Sequence, residues 1–464
     1  MITYAALSPH PPLIIPYIGG ERIREVASTV DGIRAMAREM ADSAPETIVF
    51  LTPHGNVFSD CISFLSDSEL YGDFSLFGSQ EKGTRVKNDL NLMAKIGKIA
   101  VDAGINMLAV DGELARNNGL NPSLDHGILV PLYYIQEAGL KDIPIVAISI
   151  GFLEVQELYA FGKVIQDAAE QLGKRIAVLA SGDMSHRLKN EGPYDYHPDG
   201  LRFDQQVKTI LETADVDSLL KMPLTLRENA GQCGYPSLII MFGALDGIDF
   251  EPRIFSYEGP FGVGYLNAGF SPRGLSVSLM DRLEEQNQEK IGEKRRSESM
   301  QVKWARMVLE SYIKYGKLPE LPVEMEELRQ EKAGAFVSLK KNGQLRGCIG
   351  TIMSAYGDLA EEIKANAISA GTRDPRFLPV KQGELDDLLY SVDILGDPEP
   401  CRKEDLDPYK FGVIVSQGSK RGLLLPDLEG VNTVEEQLAI ALQKAGISPT
   451  EQYSMERFEV KRFT

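Results

Sequence analysis

Ile176-Ala177-Val178-Leu179-Ala180-Ser181-Gly182-Asp183-Met184-Ser185-His186-Arg187 is the stretch whose reading decides the fold. Five consecutive apolar residues stop abruptly at a run of polar residues and glycine. A buried strand that presents polar groups at its carboxyl end reads this way. Three other segments behave similarly. Residues 2–7 run into Ser8-Pro9-His10-Pro11-Pro12, residues 47–51 into Thr52-Pro53-His54-Gly55, and Leu124-Asp125-His126-Gly127 precedes another apolar stretch. Ligands of open α/β sheets bind outside the carboxyl ends of the strands. Histidines delivered there by several strands are candidates for one shared site.

Working outward, strands are expected at residues 2–8, 47–51 and 143–150, and helices at 21–44, 88–102, 155–172, 204–213 and 236–244. Residues 66–83 are polar and contain glycine, which reads as a loop region over the site. Residues 128–137 read as a helix or buried segment, and 253–267 as a Gly-rich turn leading to an edge strand. Strands alternating with helices argue for an α/β domain with a mostly parallel sheet over residues 1–278. Residues 279–298 are charge-dense and nearly without apolar side chains, so they are expected to be a linker.

From Ser299 a new amphipathic helix carries Val302, Ala305, Val308, Leu309 and Ile313 on one face. Apolar runs at 335–339 and 345–349 flank Asn342-Gly343, a strong hairpin signal. A helix at 359–370, a strand at 388–395 and a helix at 434–445 follow. This mixture predicts a smaller α+β domain over residues 299–464.

The chain has 464 residues, too many for one typical core, and its net charge of −18 provides no general positive field for nucleic acid or anionic membranes. The first residues lack the pattern of a signal peptide, and no apolar run is long enough for a bilayer. Four cysteines do not suggest a disulfide scaffold, so a reducing cytoplasm is expected. All five histidines, His10, His54, His126, His186 and His197, fall in the first domain.

An open mononuclear metal site needs about three protein ligands. His10 and His54 each follow a strand and adjoin proline, which stiffens the loop, and they are the first two candidates. The third is open between Cys233, in a Gly-flanked loop, and the carboxylates Glu228 and Glu258. A thiolate would suit iron, zinc or copper. His186 and His126 read as acid/base or substrate-orienting groups, with Asp183 orienting one of them. His197 reads as a surface or lid residue.

The Ser-Pro-His-Pro-Pro, Thr-Pro-His-Gly, Asp-His-Gly and Ser-Gly-Asp-Met-Ser-His motifs resemble class III extradiol ring-cleavage dioxygenases of the LigB type and the related Memo proteins, over roughly residues 1–275. The resemblance implies iron(II) on His10 and His54, proton transfer by His186, and a small, catechol-like substrate. Where the dioxygenases carry a glutamate ligand this chain has Ala230-Gly231-Gln232-Cys233-Gly234. Memo proteins carry a cysteine there, which implies Cys233 as the third ligand.

In the second half, Leu345-Arg346-Gly347-Cys348-Ile349-Gly350, Asp374-Pro375-Arg376-Phe377 and Arg421-Gly422-Leu423-Leu424-Leu425-Pro426 resemble the AMMECR domain. The fusion is similar to the AmmeMemoRadiSam architecture, which implies a radical-SAM protein as partner. Read from the residues alone, Arg346 beside Cys348 could lower the thiol pKa, and Arg346, Arg373 and Arg376 could form an anion pocket. Buried packing of the cysteine and salt bridges of the arginines are the competing readings. Three functions follow: an iron-dependent dioxygenase, a Memo-like metalloprotein with a His/His/Cys site, or a non-enzymatic interaction protein.

Overall fold

The computed structural model describes residues 1–341, 343–428 and 430–464. The chain divides into two compact units, Met1–Arg282 and Leu283–Thr464.

The first unit contains strands β1 (Ile2–Ser8), β2 (Thr47–Thr52), β3 (Ile62–Leu65), β4 (Glu69–Gly72), β5 (Thr84–Lys87), β6 (Met107–Val110), β7 (Ile145–Ser149), β8 (Ile176–Ser181), β9 (Ile248–Glu258) and β10 (Tyr265–Leu275). Eight of these form one sheet in the order β6-β3-β7-β2-β8-β1-β10-β9. Its centre, β7-β2-β8-β1, is parallel, with Ala180 beside both Leu7 and Leu51. β2, β7 and β8 are buried throughout. Apolar side chains on both faces of these strands require cover on both sides. Tyr4, Ala6, Phe50 and Leu179 share a core with Ile33, Met36, Ile128 and Leu132 from helices Ala27–Asp42 and His126–Glu137. Alternate residues point the other way, and there helix Tyr235–Ala244 packs on β8, β1 and β2 and on helix Val155–Gln171.

The sheet is mixed, which corrects the expectation of a mostly parallel one. β3 is antiparallel to β7, and β10 is antiparallel to both β1 and β9. Parallel neighbours need a long crossover, whereas the short connection between β9 and β10 makes an antiparallel hairpin. Residues 66–83 are not only loop. β4 lies within them and pairs with β5, with Leu70 opposite Val86. The helix expected at 21–44 begins as a tighter 3-10 segment, Gly20–Val26, and is α-helical only over Ala27–Asp42.

The stretch read as a linker forms the helix Leu279–Arg296. Leu, Glu, Gln, Lys and Arg are all good helix formers, and their summed propensity acts without a strong apolar stripe. Leu279 and Ile291 are buried on it.

In the second unit, helices Met300–Tyr315, Leu359–Thr372 and Val434–Ala445 accompany β11 (Gly334–Lys341), β12 (Gln344–Gly350), β13 (Leu388–Leu395), β14 (Glu399–Pro400), β15 (Phe411–Gln417), β16 (Lys420–Leu424) and β17 (Ser454–Phe463). The sheet order is β12-β11-β13-β17-β15-β16, with β14 pairing β17. All its pairings are antiparallel. The hairpin expected around residue 342 joins β11 and β12, with Lys341 opposite Gln344. Gly343 supplies the positive φ of 85° that its turn demands, and Asn342 lies outside the described residues. Trp304, Val308, Val337, Ile363 and Val392 share the core. Among the described residues no helix is long and apolar enough to cross a membrane.

Candidate metal centre

The order β2-β8-β1 places the carboxyl ends of three parallel strands side by side. β1 ends at Ser8, two residues before His10, and β2 ends at Thr52, two before His54. Between them β8 presents Ser181, Gly182 and Asp183. His126 arrives from another direction, as the first residue of its helix. Asp125 caps that helix by accepting the Gly127 N–H at 2.7 Å. The same carboxylate oxygen accepts the Thr52 hydroxyl at 2.7 Å, and Thr52 Oγ1 accepts the His54 N–H at 3.2 Å. This chain of contacts ties the loop of His54 to the helix of His126.

His10, His54 and His126 each turn one potential ligand atom inward, and these atoms all lie within 4.8 Å of one another. The Nε2 atoms of His10 and His54 are 2.9 Å apart. The His54 and His126 rings stack with centroids 4.4 Å apart. The tautomer of His10 follows from its neighbours. Ser181 donates its only hydroxyl proton to the Gly127 carbonyl, so at 2.8 Å it must accept from His10 Nδ1. That leaves a lone pair on His10 Nε2, the atom facing the cluster, as a metal ligand requires.

Cys233 reaches the same place from the loop between helices Leu224–Ala230 and Tyr235–Ala244. Its Sγ lies 3.7 Å from His10 Nε2 and accepts the Asp183 N–H at 3.2 Å. Glycine allows this approach, because a Cβ on Gly182 would collide with the Gly234 backbone. Asp183 Oδ1 accepts the His10 backbone N–H at 3.0 Å, and its other oxygen is 3.9 Å from His10 Nε2.

Burial and mutual repulsion keep the imidazoles neutral. Burial, then His54, His126 and His186, hold His10 well below the usual histidine range. His54 keeps an exposed edge, yet desolvation and the nearby His126 and His186 lower it to about 4; desolvation alone lowers His126 to about 4. Burial also lowers His186, raises Asp183 to about 7 and, with Asp183 beside it, pushes the Cys233 thiol well up. Neutral imidazoles with converging lone pairs suit a cation. The donor set therefore fits a metal of the borderline class, iron, zinc or copper.

The expected residues fall out unevenly. His10 and His54 come together. His126, read as an acid/base group, stands among the three clustered imidazoles. Asp183 holds the backbone of His10 rather than the ring of His186 or His126. Glu258 is engaged elsewhere, accepting both the N–H and the hydroxyl of Thr29 at 2.6 Å. Neither it nor Glu228 joins the cluster, and Cys233, though its Sγ touches His10, is also not among the side chains whose ligand atoms all lie within 4.8 Å of one another. His197 caps helix Pro198–Thr213. Ser181 and Thr52 were missed, although their places at the strand ends could have signalled them. Phe77, whose ring is 5.2 Å from that of His126, carried no signal.

In the second unit the surroundings of Cys348 favour buried packing over a reactive thiolate. Burial raises its thiol, outweighing the pull of Arg376. Arg346 and Arg376 form no open pocket: Arg346 pairs with Glu384 at 2.9 and 3.0 Å, and Arg376 with Asp374 at 2.7 and 2.9 Å.

Residues 4–270 match the family "Catalytic LigB subunit of aromatic ring-opening dioxygenase", and residues 302–464 match AMMECR1. A protein of Clostridium acetobutylicum is 41% identical over 458 residues, covering 98% of both chains. One from Thermotoga maritima is 55% identical over 166 residues, 35% of this chain and 95% of its own. A solved structure of an uncharacterized protein from Pyrococcus horikoshii is 34% identical, covers 35% of this chain and 88% of that one, and superposes with a TM-score of 0.33. The LigB match spans more than half of the sequence, and the chain belongs to this family, with an AMMECR1 domain following its LigB-type domain.

Proposed function

We propose that the LigB-type domain is a mononuclear metal-dependent oxidoreductase acting on a small chelating molecule, with iron(II) as its metal. The convergence of the His10, His54 and His126 ring nitrogens within 4.8 Å carries this reading. His10 and His54 would be two ligands, and Cys233 the third. When bound, iron(II) would supply a redox-active Lewis acid at the strand ends. The chain's own residues do the rest. Ser181 fixes the ligand tautomer of His10. Asp183 holds the His10 backbone and, through its N–H, the Cys233 sulfur. His186 is neutral near pH 7, and its buried Nδ1 has no hydrogen-bond partner. The His186 imidazole can take a proton from a substrate hydroxyl and later return it.

A Memo-like redox or transfer reaction, coupled to a radical-SAM partner, is the second reading. The thiol 3.7 Å from His10 Nε2, where the dioxygenases carry glutamate, favours it. Dioxygen uptake by the anaerobically iron-loaded protein on mixing with catechol and oxygenated buffer separates the two. The dioxygenase reading expects uptake with ring-opened product, and His186→Gln slowing it about a hundredfold. Metal-loaded protein that consumes no dioxygen with any vicinal diol removes the dioxygenase reading and leaves the Memo-like one.

A further inference from the structure

The helix His126–Glu137 starts at the histidine cluster and ends about 18 Å further on. At that far end its residues and those of helix Ala27–Asp42 line a surface cavity of about 550 Å³. That is the volume of a small-molecule site. Three cations line it, Arg34, Arg38 and Lys141, against one carboxylate, Glu137. The chain as a whole is charged the other way, at −18.

The neighbours do not use up these cations. Among the described residues Arg38 and Lys141 have no ion-pair or hydrogen-bond partner for their side chains. Arg34 comes only within 4.0 Å of Glu137, which already accepts the Tyr133 hydroxyl at 3.0 Å. Cations also gather at helix carboxyl ends to meet unpaired carbonyls. Here that need is met by backbone. The carbonyls of Tyr134, Ile135 and Gln136 accept the N–H groups of Ala138, Leu140 and Gly139 at 2.9, 3.3 and 3.2 Å. The positive charge is left for a ligand.

Two aromatic rings share the wall. The centroids of Tyr133 and Tyr134 are 5.1 Å apart. Both hydroxyls are committed, one to Glu137 and the other to the Ile14 carbonyl. The half-buried Tyr133 therefore offers the cavity ring surface rather than a polar group, with buried Tyr134 behind it. The charge count selects the ligand. Three cations less one carboxylate leave two positive charges. A carboxylate carries one negative charge, whereas a phosphate monoester carries about 1.5 to 2 at pH 7 and matches the guanidinium fork.

We infer that this cavity is a second binding site of the LigB-type domain, for an aromatic molecule carrying a phosphate monoester. Arg34, Arg38 and Lys141 meet the phosphate, and Tyr133 meets the ring. The inference goes beyond the metal-centre reading and does not depend on it.

Isothermal titration of the full-length protein with adenosine monophosphate, adenosine and inorganic phosphate tests it. Wild type is expected to bind the nucleotide about tenfold or more tighter than adenosine or phosphate. Arg38 and Lys141 are exposed, so their replacement spares the fold. Arg38→Gln and Lys141→Gln should each weaken the nucleotide about threefold to tenfold. Together they should remove its advantage and leave adenosine binding unchanged. Tyr133→Leu should weaken the nucleotide but not phosphate, and His54→Ala should bind it as wild type does. A nucleotide bound no tighter than adenosine, or an undiminished advantage in the double variant, overturns the inference. Phosphate bound as tightly as the nucleotide, or no effect of Tyr133→Leu, overturns the aromatic part of the ligand class. Binding lost in His54→Ala but kept in the double variant would put the nucleotide on the metal centre and overturn the second site.

Discussion

The two units surround their conspicuous cysteines, Cys233 and Cys348, with different polar partners. In the AMMECR1 domain three arginines each meet a carboxylate through two nitrogens: Arg346 with Glu384, Arg376 with Asp374, and Arg462 with Asp393 at 2.9 and 3.3 Å. Cys348 lies among them, its N–H donated to Asp374 at 2.8 Å and its sulfur accepting the Ser338 hydroxyl at 3.1 Å. At the strand ends of the LigB-type domain, imidazoles crowd against one another, and His186 and Arg187 keep buried atoms unpartnered. Satisfied charge rigidifies a surface, whereas unsatisfied converging donors leave interaction free energy for a ligand. The difference supports the proposal of small-molecule chemistry in the first domain, although both domains carry a conspicuous cysteine.

The contrast can be broken or sharpened by substitution. The largest effect is expected at His54: His54→Ala should reduce retained metal to background after dialysis while near-ultraviolet circular dichroism keeps its native form. Retention of metal by that variant would mean the imidazoles do not form the centre.

A smaller effect is expected at Asp374. Replacing it with Asn removes the charge that pairs with Arg376 and one of the two oxygens that accept from Arg376 and the Cys348 N–H. The Arg376 side chain is 53% exposed, so the usual cost of breaking a buried pair is discounted, to about 1–2 kcal/mol in denaturant unfolding. Metal content should not change. Hydrogen bonding to Arg376 lowers the Asp374 carboxyl from 3.8 to about 2. Its folded pKa is therefore below the unfolded one, and its stabilisation is full above about pH 4 and lost as pH falls through about 2. Wild type and Asp374→Asn should thus converge in stability on acidification across that window. A constant difference between them would refute the pairing argument.

The smallest effect concerns Cys348. Burial raises its thiol, so at pH 7 iodoacetamide should modify it more slowly than an unstructured cysteinyl peptide. Faster modification would restore the reactive-thiolate reading.

Much of this was legible in the sequence. The central strands β1, β2 and β8 stand out as continuous apolar runs, because burial on both faces removes any polar alternation. His10 and His54 were legible for the same reason, since each lies just beyond such a run. β3 and β6 were not, because four-residue strands at the sheet margin carry too little pattern. Leu279–Arg296 was misread because its helicity comes from propensity rather than an apolar stripe. The nearness of His126 to His54 depends on Asp125 bonding Thr52 across 73 positions of sequence, which no local pattern reveals.

The most direct test of the central claim is the metal content of anaerobically purified wild type beside His10→Ala and Cys233→Ser. The expected result is near-stoichiometric iron in wild type, none in His10→Ala and a clear loss in Cys233→Ser. Full iron in Cys233→Ser with none in His10→Ala would transfer the third ligand position to His126 or a carboxylate. Wild-type protein that binds no metal under these conditions would contradict the account.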